Sequence, residues 1–489
     1  MKNNSMKLSV ALNMIKQGLT LLFPLITVPY VSQHLGVQGY GEYNYAASIV
    51  SYISYFAAMG ISTYGVREGA LHRNDKKQEE KLCSQLISIN IMTTIISLVG
   101  IIVLCAWIRE LAAERPYILV LSLSILFGTI GAEWINQIYE DFLFLTIRYV
   151  IMQVVSVILL FVLVKTPQDV VKYCYITVIS SAGANLLNVF HVRKYVKIRF
   201  TWKMDFKNHF PHMFIFFLSS LATVVYVNSD ITMLGSICGS YEAGLYSLSS
   251  KIYNIIKMLL YAIISTAIPK ITALYGSNKV EYTNLTKKIY KMLTLIVIPA
   301  GAGLAALSTD IIVILGGKSY IDASTSLMIL AAAIPFAIYG AFYSSYYIIV
   351  ASNEKVVLWT TVISAGANIM LNVFLIPRIG INGAAITTVI AEFANYALSK
   401  WYVCRKKKIK THRMITIPLI LSVIILLGVR IVKCIFPSMS VAMCIIRCIL
   451  IVLVTLIGYG LFLLQTKNKD IRDTVDELIP SKIIIKRRS

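Results

Sequence analysis

The sequence has 489 residues, of which 57% are hydrophobic and 14% are charged, and its mean hydropathy is +0.73. A soluble globular protein carries about 25% charged residues, so these figures exclude a soluble fold. The net charge of +23 comes from 46 Lys and Arg against 23 Asp and Glu. In a soluble chain it would suggest nucleic-acid binding, but here the cations lie between apolar blocks. We therefore expect a multi-pass, all-α membrane protein without a nucleic-acid partner.

The apolar residues form blocks of about 20, which is the length that a helix needs to cross a bilayer. Taking the blocks in chain order, and cutting at charges and turn residues, predicts about 14 transmembrane helices. They lie near residues 9–31, 43–64, 84–107, 117–139, 147–164, 171–192, 212–235, 245–269, 290–307, 325–351, 356–376, 384–402, 414–434 and 441–464. The first block contains Pro24 and Pro29 and has no small-residue cleavage site after it, so we expect a retained helix rather than a signal peptide.

The basic residues gather in alternate loops, at 67–81, 193–207 and 405–410, and in the tail at 482–488. Because short cytoplasmic loops carry an excess of Lys and Arg, this bias predicts that these segments and both termini are cytoplasmic. The loops on the other side are short. We therefore expect the function to lie in the helices rather than in an external domain.

Neither a metal nor a nucleotide is predicted as a cofactor. The eight cysteines form no CxxC pair and lie mostly in apolar segments, which is typical of reduced, buried thiols. His209 and His212 form an HxxH, but Phe210 and Pro211 between them disfavour a regular helix. The sequence at 316–319 resembles the end of a phosphate-binding loop without its first glycine.

Two internal matches bear on the domain organisation. The pentapeptide SAGAN occurs at 181–185 and at 364–368, in spans predicted to run in opposite directions, so we interpret it as small-residue helix packing. The glycine, tyrosine and isoleucine at 41, 43 and 49 recur with the same spacing at 244, 246 and 252. This second match supports two six-helix lobes, at 1–200 and 201–404, followed by two additional helices and a basic tail at 405–489.

Charged residues deep inside the apolar blocks include Lys16, Glu133, Asp230, Lys251, Lys257 and Glu392, with Lys291 closer to a cytoplasmic end. A charge at the centre of a bilayer costs about 2.5–3.5 kcal/mol on insertion scales, so such residues usually face a wet cavity or a partner. As a set they predict a polar translocation cavity. For any single residue, an interhelical pair such as Asp230 with a lysine remains the alternative.

The helical face around Lys257 is the strongest candidate for ligand binding. Tyr253, Asn254 and Tyr261 share this face because they lie three or four residues from Lys257. A cation, an amide and phenols suit an anionic, sugar-bearing ligand, whereas a lysine that snorkels among tyrosines is the structural alternative. Tyrosines at 339, 343 and 346 form a similar face, for which ordinary packing is an equal interpretation.

The segment from Phe23 to Ala70 resembles the oligosaccharide-repeat flippases of bacterial O-antigen, capsule and exopolysaccharide assembly, which share a superfamily with multidrug exporters and lipid II flippases. The resemblance rests on FPxxxxPY at 23–30, LGxxGYGxY at 35–43 and YGxRE at 64–68. A looser match is formed by Trp134, Gln137, Glu140 and Phe142. In that motif Ile138 stands where the family often has glycine.

The resemblance implies a two-lobed, V-shaped bundle in the bacterial cytoplasmic membrane. It would move an undecaprenyl-pyrophosphate-linked oligosaccharide from the cytoplasmic to the outer leaflet by alternating access. Lys16, Lys251 and Lys257 would then face the pyrophosphate, and Asp230, Glu133 and Glu392 are candidates for proton carriers. The motif also implies a gating or coupling role for Arg67 and Glu68, for which a structural ion pair is the alternative. The expected partners are the lipid-linked oligosaccharide, membrane lipids and a polysaccharide polymerase.

Two other functions remain open at this point. A cation-coupled multidrug exporter of the same superfamily would require an acidic cavity, whereas this sequence has three lysines deep inside its spans, Lys16, Lys251 and Lys257. A membrane polymerase or ligase would require acid, base or arginine groups in a substantial external loop, and the predicted external loops are short. We therefore expect a transporter and not an enzyme.

Overall fold

The computed structural model describes the backbone of residues 2–407 and 416–465, and the side chains of residues 18–20, 22–406, 418 and 422–455. Helices make up most of these residues, and no strand occurs among them. The helices are α1 (Lys2–Ala58), α2 (Ile61–His72), α3 (Lys76–Trp107), α4 (Arg115–Gly131), α5 (Glu133–Ile138), α6 (Phe142–Leu163), α7 (Val170–Val192), α8 (Phe206–Ile237), α9 (Ser240–Ser277), α10 (Lys279–Ala306), α11 (Ser308–Gly316), α12 (Ala323–Ala331), α13 (Ala333–Tyr343), α14 (Glu354–Lys407), α15 (Thr416–Ile435) and α16 (Val441–Gln465), with a π-helical turn at Ser344–Ile349.

The described residues contain the expected number of membrane spans. Nine helical stretches are long and apolar enough to cross a bilayer, and two shorter apolar helices are Arg115–Gly131 and Val441–Thr455. Two of the nine, Gly18–His72 and Glu354–Lys406, are broken by non-helical residues, so each makes two crossings. Together with α15 they give the 14 spans that the hydropathy pattern predicts. The all-α, polytopic fold is confirmed.

Local sequence explains where these helices begin and break. Gly36 interrupts α1 with φ 68°, a left-handed value that only glycine adopts without strain. Three helices have a polar residue as their N-cap. The Asp75 carboxylate accepts hydrogen bonds from two backbone N–H groups of α3, and the side chains of Asp141 and Asn278 cap α6 and α10 by the same kind of hydrogen bond. The interruptions therefore follow from glycines and short polar side chains in the sequence.

The chain divides into two compact units. Unit 1 comprises Met1–Ser247 and Ile369–Ile381, and unit 2 comprises Leu248–Asn368 and Asn382–Ser489. Helices α9 and α14 therefore contribute to both units. The lobes predicted from the sequence, with boundaries at residues 200 and 404, stay a prediction.

In unit 1 the two segments of the internal match meet at their glycines. A methyl group on Gly41 of α1 would overlap the Ser240 carbonyl oxygen of α9, and one on Gly244 would overlap the Val37 carbonyl. Elsewhere in unit 1, a hydrophobic core joins α2, α3, α5 and α8 through Tyr64, Leu86, Ile135 and Met213, among others. The glycine pair therefore lets α1 and the start of α9 approach more closely than side chains would allow.

In unit 2 the tyrosine face of the tenth span is part of an aromatic core. Tyr339, Tyr343 and Tyr346 are 8%, 5% and 0% exposed. The Tyr346 hydroxyl donates to the Ile264 carbonyl at 2.8 Å, and the Tyr339 ring stacks on Tyr290 of α10 at 5.3 Å between centroids. Ordinary packing is therefore the interpretation that the structure supports for this face.

Candidate functional site

In unit 2, Lys257 and Tyr253 of α9 meet Glu392 of α14. The Lys257 ammonium donates to Glu392 Oε1 at 2.7 Å, and the Tyr253 hydroxyl donates to the same oxygen at 3.0 Å. The ammonium also lies 5.3 Å from the centroid of the Tyr253 ring, within cation–π range. Glu392 is 5% exposed, whereas Lys257 is 30% exposed, so the cation is the accessible member of the pair.

Of the other residues predicted to bind the ligand, none whose side chain is described joins this cluster. Asn254 is half-buried and donates to the Ser250 carbonyl one turn earlier at 2.9 Å. Tyr261 is 40% exposed. Lys251 is exposed, and no described side chain pairs with its ammonium group. Lys16 has its side chain outside the described residues.

In unit 1, Glu133 forms an ion pair with Arg148 of α6. The Glu133 carboxylate lies 2.9 Å from Arg148 Nη2, and Arg148 Nη1 donates to the Ala184 carbonyl of α7 at 2.6 Å. The Arg148 side chain is 3% exposed and that of Glu133 is 37% exposed. Sequence reasoning named the acid and missed its partner, which lies inside the fifth predicted span.

Glu133 is one of the residues that line a cavity of about 410 Å³ within unit 1. This volume falls in the range of small-molecule sites, about 300–1,000 Å³. Ten of the cavity's 14 lining residues, on α1, α6 and α7, carry a hydroxyl, amide or phenol group: Thr27, Tyr43, Tyr149, Gln153, Ser156, Tyr173, Thr177, Ser180, Ser181 and Asn185. Such a wall offers donors and acceptors to sugar hydroxyl groups.

The FPxxxxPY motif lies beside this cavity. The Phe23 ring contacts Tyr149 edge-to-face with centroids 6.3 Å apart, and the Tyr30 hydroxyl donates to the Val164 carbonyl at 2.9 Å. The first contact joins α1 to α6, and the second joins α1 to the residue that follows α6. The motif residues therefore position one wall of the cavity.

Asp230 of α8 is the third acid inside a predicted span, and it is 6% exposed. Its carboxylate accepts from the Tyr246 hydroxyl at 2.6 Å and from the Asn372 amide at 2.7 Å. All three residues belong to unit 1. Asp230 therefore connects α8 to α9 and α14 through two short hydrogen bonds.

Arg67 and Glu68 form an ion pair between sequence neighbours in the middle of α2. The distance from Arg67 Nε to Glu68 Oε1 is 3.6 Å, and the two side chains are 60% and 22% exposed. An exposed pair of this kind contributes about 0–1 kcal/mol to stability. Of the two side chains, that of Arg67 is the more accessible.

Sequence reasoning also missed a second buried ion cluster, in unit 2. Asp310 of α11 is 1% exposed and lies 2.5 Å from Arg447 of α16 and 3.2 Å from Lys433 of α15. Lys433 also donates to the Ala306 carbonyl at 3.0 Å. These contacts join the two C-terminal helices to the turn between α10 and α11.

The chain resembles curated proteins of surface-polysaccharide assembly over most of its length. It is 24% identical over 398 residues to a protein of Shigella dysenteriae named "Putative O-antigen transporter", covering 79% of this chain and 97% of that one. It is 26% identical over 383 residues to the capsular polysaccharide biosynthesis protein CapF of Staphylococcus aureus, covering 75% of this chain and 91% of that one.

Among solved structures, the fold is similar to that of the lipid II flippase MurJ in an inward closed conformation. The TM-score is 0.72 at 18% identity, covering 92% of this chain and 98% of MurJ. At these identities the likeness establishes the fold. The model of the polysaccharide biosynthesis protein family matches residues 8–275, more than half of the sequence, and the chain belongs to that family.

Proposed function

We propose that this protein flips an undecaprenyl-pyrophosphate-linked oligosaccharide repeat unit to the outer leaflet of a bacterial cytoplasmic membrane. The observation that carries the proposal is the family match over 8–275, which runs from within α1 through most of α9. The longest stretch without helix among the described residues is 193–205, so the work falls to the helix bundle. A flippase needs no more than that, because it makes and breaks no covalent bond.

Each unit contains a site whose chemistry suits one part of such a ligand. The Lys257 ammonium is partly exposed and is balanced by Glu392 at 2.7 Å. When the pyrophosphate arrives, Lys257 turns from Glu392 to the phosphate oxygens, and Tyr253 keeps the carboxylate hydrogen-bonded. The cavity of unit 1 takes sugar rings, whose hydroxyls replace water on Thr27, Gln153 and the other wall groups. Lys16 and Lys251 add positive charge along the path, and Asn254 and Tyr261 contact the head group.

The remaining charged residues are assigned to coupling or gating. Asp230, Glu133 and Glu392 are the candidates for a transported proton, and Arg67 with Glu68 is the candidate latch. Protonation of Glu133 would leave Arg148 without its counter-charge, and protonation of Glu392 would do the same to Lys257. Proton uptake at either site would therefore have to accompany a conformational change.

Both termini are assigned to the cytoplasm on the distribution of basic residues. A polymerase that consumes the exported unit is the proposed partner on the outer side. The two lobes at 1–200 and 201–404 would alternate access to the ligand, with 405–489 as an attached helix pair and tail.

The test is depletion of the protein in its own cell, followed by treatment of intact and lysed cells with a membrane-impermeant glycosidase. Complete single repeat units that are cleaved only after lysis support flipping. Single units that are cleaved in intact cells but never polymerised would indicate an enzyme instead. Normal polysaccharide with new sensitivity to drugs would indicate a multidrug exporter.

A further inference from the structure

The connection between α7 and α8 runs along the surface of unit 1 and carries a distinctive set of side chains. We call residues 193–207, which include the first two residues of α8, the strap. Three hydrogen bonds tie it to one face of α3: Arg199 N–H to Ser84 Oγ (3.1 Å), Thr201 N–H to Ser88 Oγ (2.9 Å) and Gln85 Nε2 to the Lys203 carbonyl (2.8 Å). Val196 is 1% exposed and belongs to the core of unit 1. The backbone of the strap is therefore fixed.

The outer side of the strap combines aromatic rings with cations. Phe200 and Trp202 are 50% and 80% exposed, and their rings meet edge-to-face at 5.2 Å between centroids. All of its basic side chains are exposed: Arg193, Lys194, Lys197, Arg199, Lys203 and Lys207. The single carboxylate is Asp205, which accepts from the Asn208 amide at 2.8 Å. If this surface faced only water, two large aromatic rings would be exposed to water with no apolar surface to cover them.

The strap lies where two membrane spans end, because α7 ends at Val192 and α8 begins at Phe206. Large apolar side chains at both helix ends continue its aromatic surface, since Phe190 is 69% and Phe206 is 46% exposed. Tryptophan at this depth sits among lipid headgroups, and clustered Lys and Arg beside a span attract anionic lipid. The positive charge of the strap and its position at the ends of two spans thus favour a lipid surface over a soluble ligand.

We propose that the strap binds anionic phospholipid headgroups of the leaflet at this end of the bundle, which is the cytoplasmic leaflet in the topology proposed above. Phe200 and Trp202 insert at headgroup level, while Arg199, Lys203 and their basic neighbours contact the phosphates. This site serves bilayer lipid rather than the exported unit, so it goes beyond flipping. Because α3 holds the strap, bound lipid would anchor unit 1 at this surface.

The test measures lipid contact at Trp202 in full-length protein reconstituted into nanodiscs. The contribution of Trp202 to the fluorescence is the difference between the wild type and Trp202→Phe. We expect brominated phosphatidylglycerol to quench this contribution at least about threefold more than brominated phosphatidylcholine in an otherwise identical bilayer. Each nearby cation contributes about fivefold to anionic-lipid preference, so Arg199→Gln with Lys203→Gln should remove most of the difference.

This double variant keeps the backbone bonds to α3, which involve main-chain atoms of residues 199 and 203. The matched control is Lys279→Gln with Lys287→Gln, two exposed lysines of unit 2, which should leave the preference unchanged. Equal quenching by the two lipids would overturn the anionic preference. No quenching by either would show that Trp202 faces water or a protein partner, and would overturn the site. Neither result bears on the glycosidase test of flipping.

Discussion

Glu392 balances the charge of Lys257, and this pairing determines how variants of either residue should behave. The Glu392 carboxylate is 5% exposed, and in Lys257→Met it loses its positively charged partner. Within the cluster described above, only the neutral Tyr253 hydroxyl still donates a hydrogen bond to it. We expect a loss of about 2 kcal/mol in unfolding free energy, below the usual cost for a fully buried pair because Lys257 is partly exposed. Export of repeat units, measured by glycosidase on intact cells, should fall strongly.

The double variant Lys257→Met with Glu392→Gln separates stability from ligand binding. It removes both charges, so protein level and thermal stability should return close to those of the wild type. Export should stay low, because the pyrophosphate would still lack its cation. Lys279→Met, on an exposed lysine of unit 2, is the control for loss of a positive charge. If the double variant exported normally, Lys257 would have a structural role only.

The pair of Glu133 and Arg148 should respond differently, because its buried member is the cation. Glu133→Gln leaves the Arg148 guanidinium, 3% exposed, with the Ala184 carbonyl as its remaining described partner. We expect unfolding free energy in detergent to fall by about 3 kcal/mol. Adding Arg148→Met should recover most of that loss. Unchanged stability in Glu133→Gln would mean that the pair does not hold α5, α6 and α7 together.

The contact between α1 and α9 depends on Gly41, a residue of the LGxxGYGxY motif. A methyl group there would overlap backbone atoms of α9, which cannot rotate away as a side chain can. We expect Gly41→Ala to cost about 3 kcal/mol, the upper end for overpacking. Gly366→Ala is the matched control, since no atom lies within 4 Å of its added methyl group. Thermal unfolding of both variants checks this, and equal melting temperatures would contradict the close approach.

The two C-terminal helices are joined to the rest of unit 2 by charge as well as by apolar packing. Asp310 pairs with Arg447 and Lys433, next to an apolar cluster that includes Leu307, Val429 and Ile451. In Asp310→Asn the buried Arg447 loses its counter-charge. Amide hydrogen exchange in α15 and α16 should then accelerate by about tenfold or more. Asp322→Asn, at an exposed carboxylate of unit 2, should leave that exchange unchanged.

The positions of the helices could be predicted from the sequence far better than the contacts between side chains of different helices. Bilayer thickness fixes the length of each apolar block, so hydropathy alone finds the spans. An ion pair depends on which helices meet, and Lys257 and Glu392 are 135 residues apart. The cavity did leave a signal, because Tyr173, Thr177 and Ser180 of α7 recur at helical spacing. The repeat of the pentapeptide at 181–185 predicts packing alone, yet Ser181 and Asn185 line the cavity.

For the molecule as a whole, the direction of transport requires a source of free energy. A cell interior at a negative potential favours export of an anion, by about 2.3 kcal/mol per charge per 100 mV. A pyrophosphate linkage with two negative charges would therefore gain about 4–5 kcal/mol per 100 mV. No carried ion is needed for a bias of that size. Acids such as Asp230 would add a second driving force only if they exchange protons during the cycle.

These two sources can be separated in proteoliposomes that contain the protein and a fluorescent lipid-pyrophosphate glycan. A potassium diffusion potential of about 100 mV, negative inside, should move the probe to the outer leaflet by up to about a thousandfold at equilibrium. A neutral glycolipid of the same size should not respond, because it carries no charge through the field. If the distribution ignored the potential and followed a pH gradient instead, proton exchange would drive export, and Asp230→Asn should abolish that response. An outward shift without the protein would contradict both.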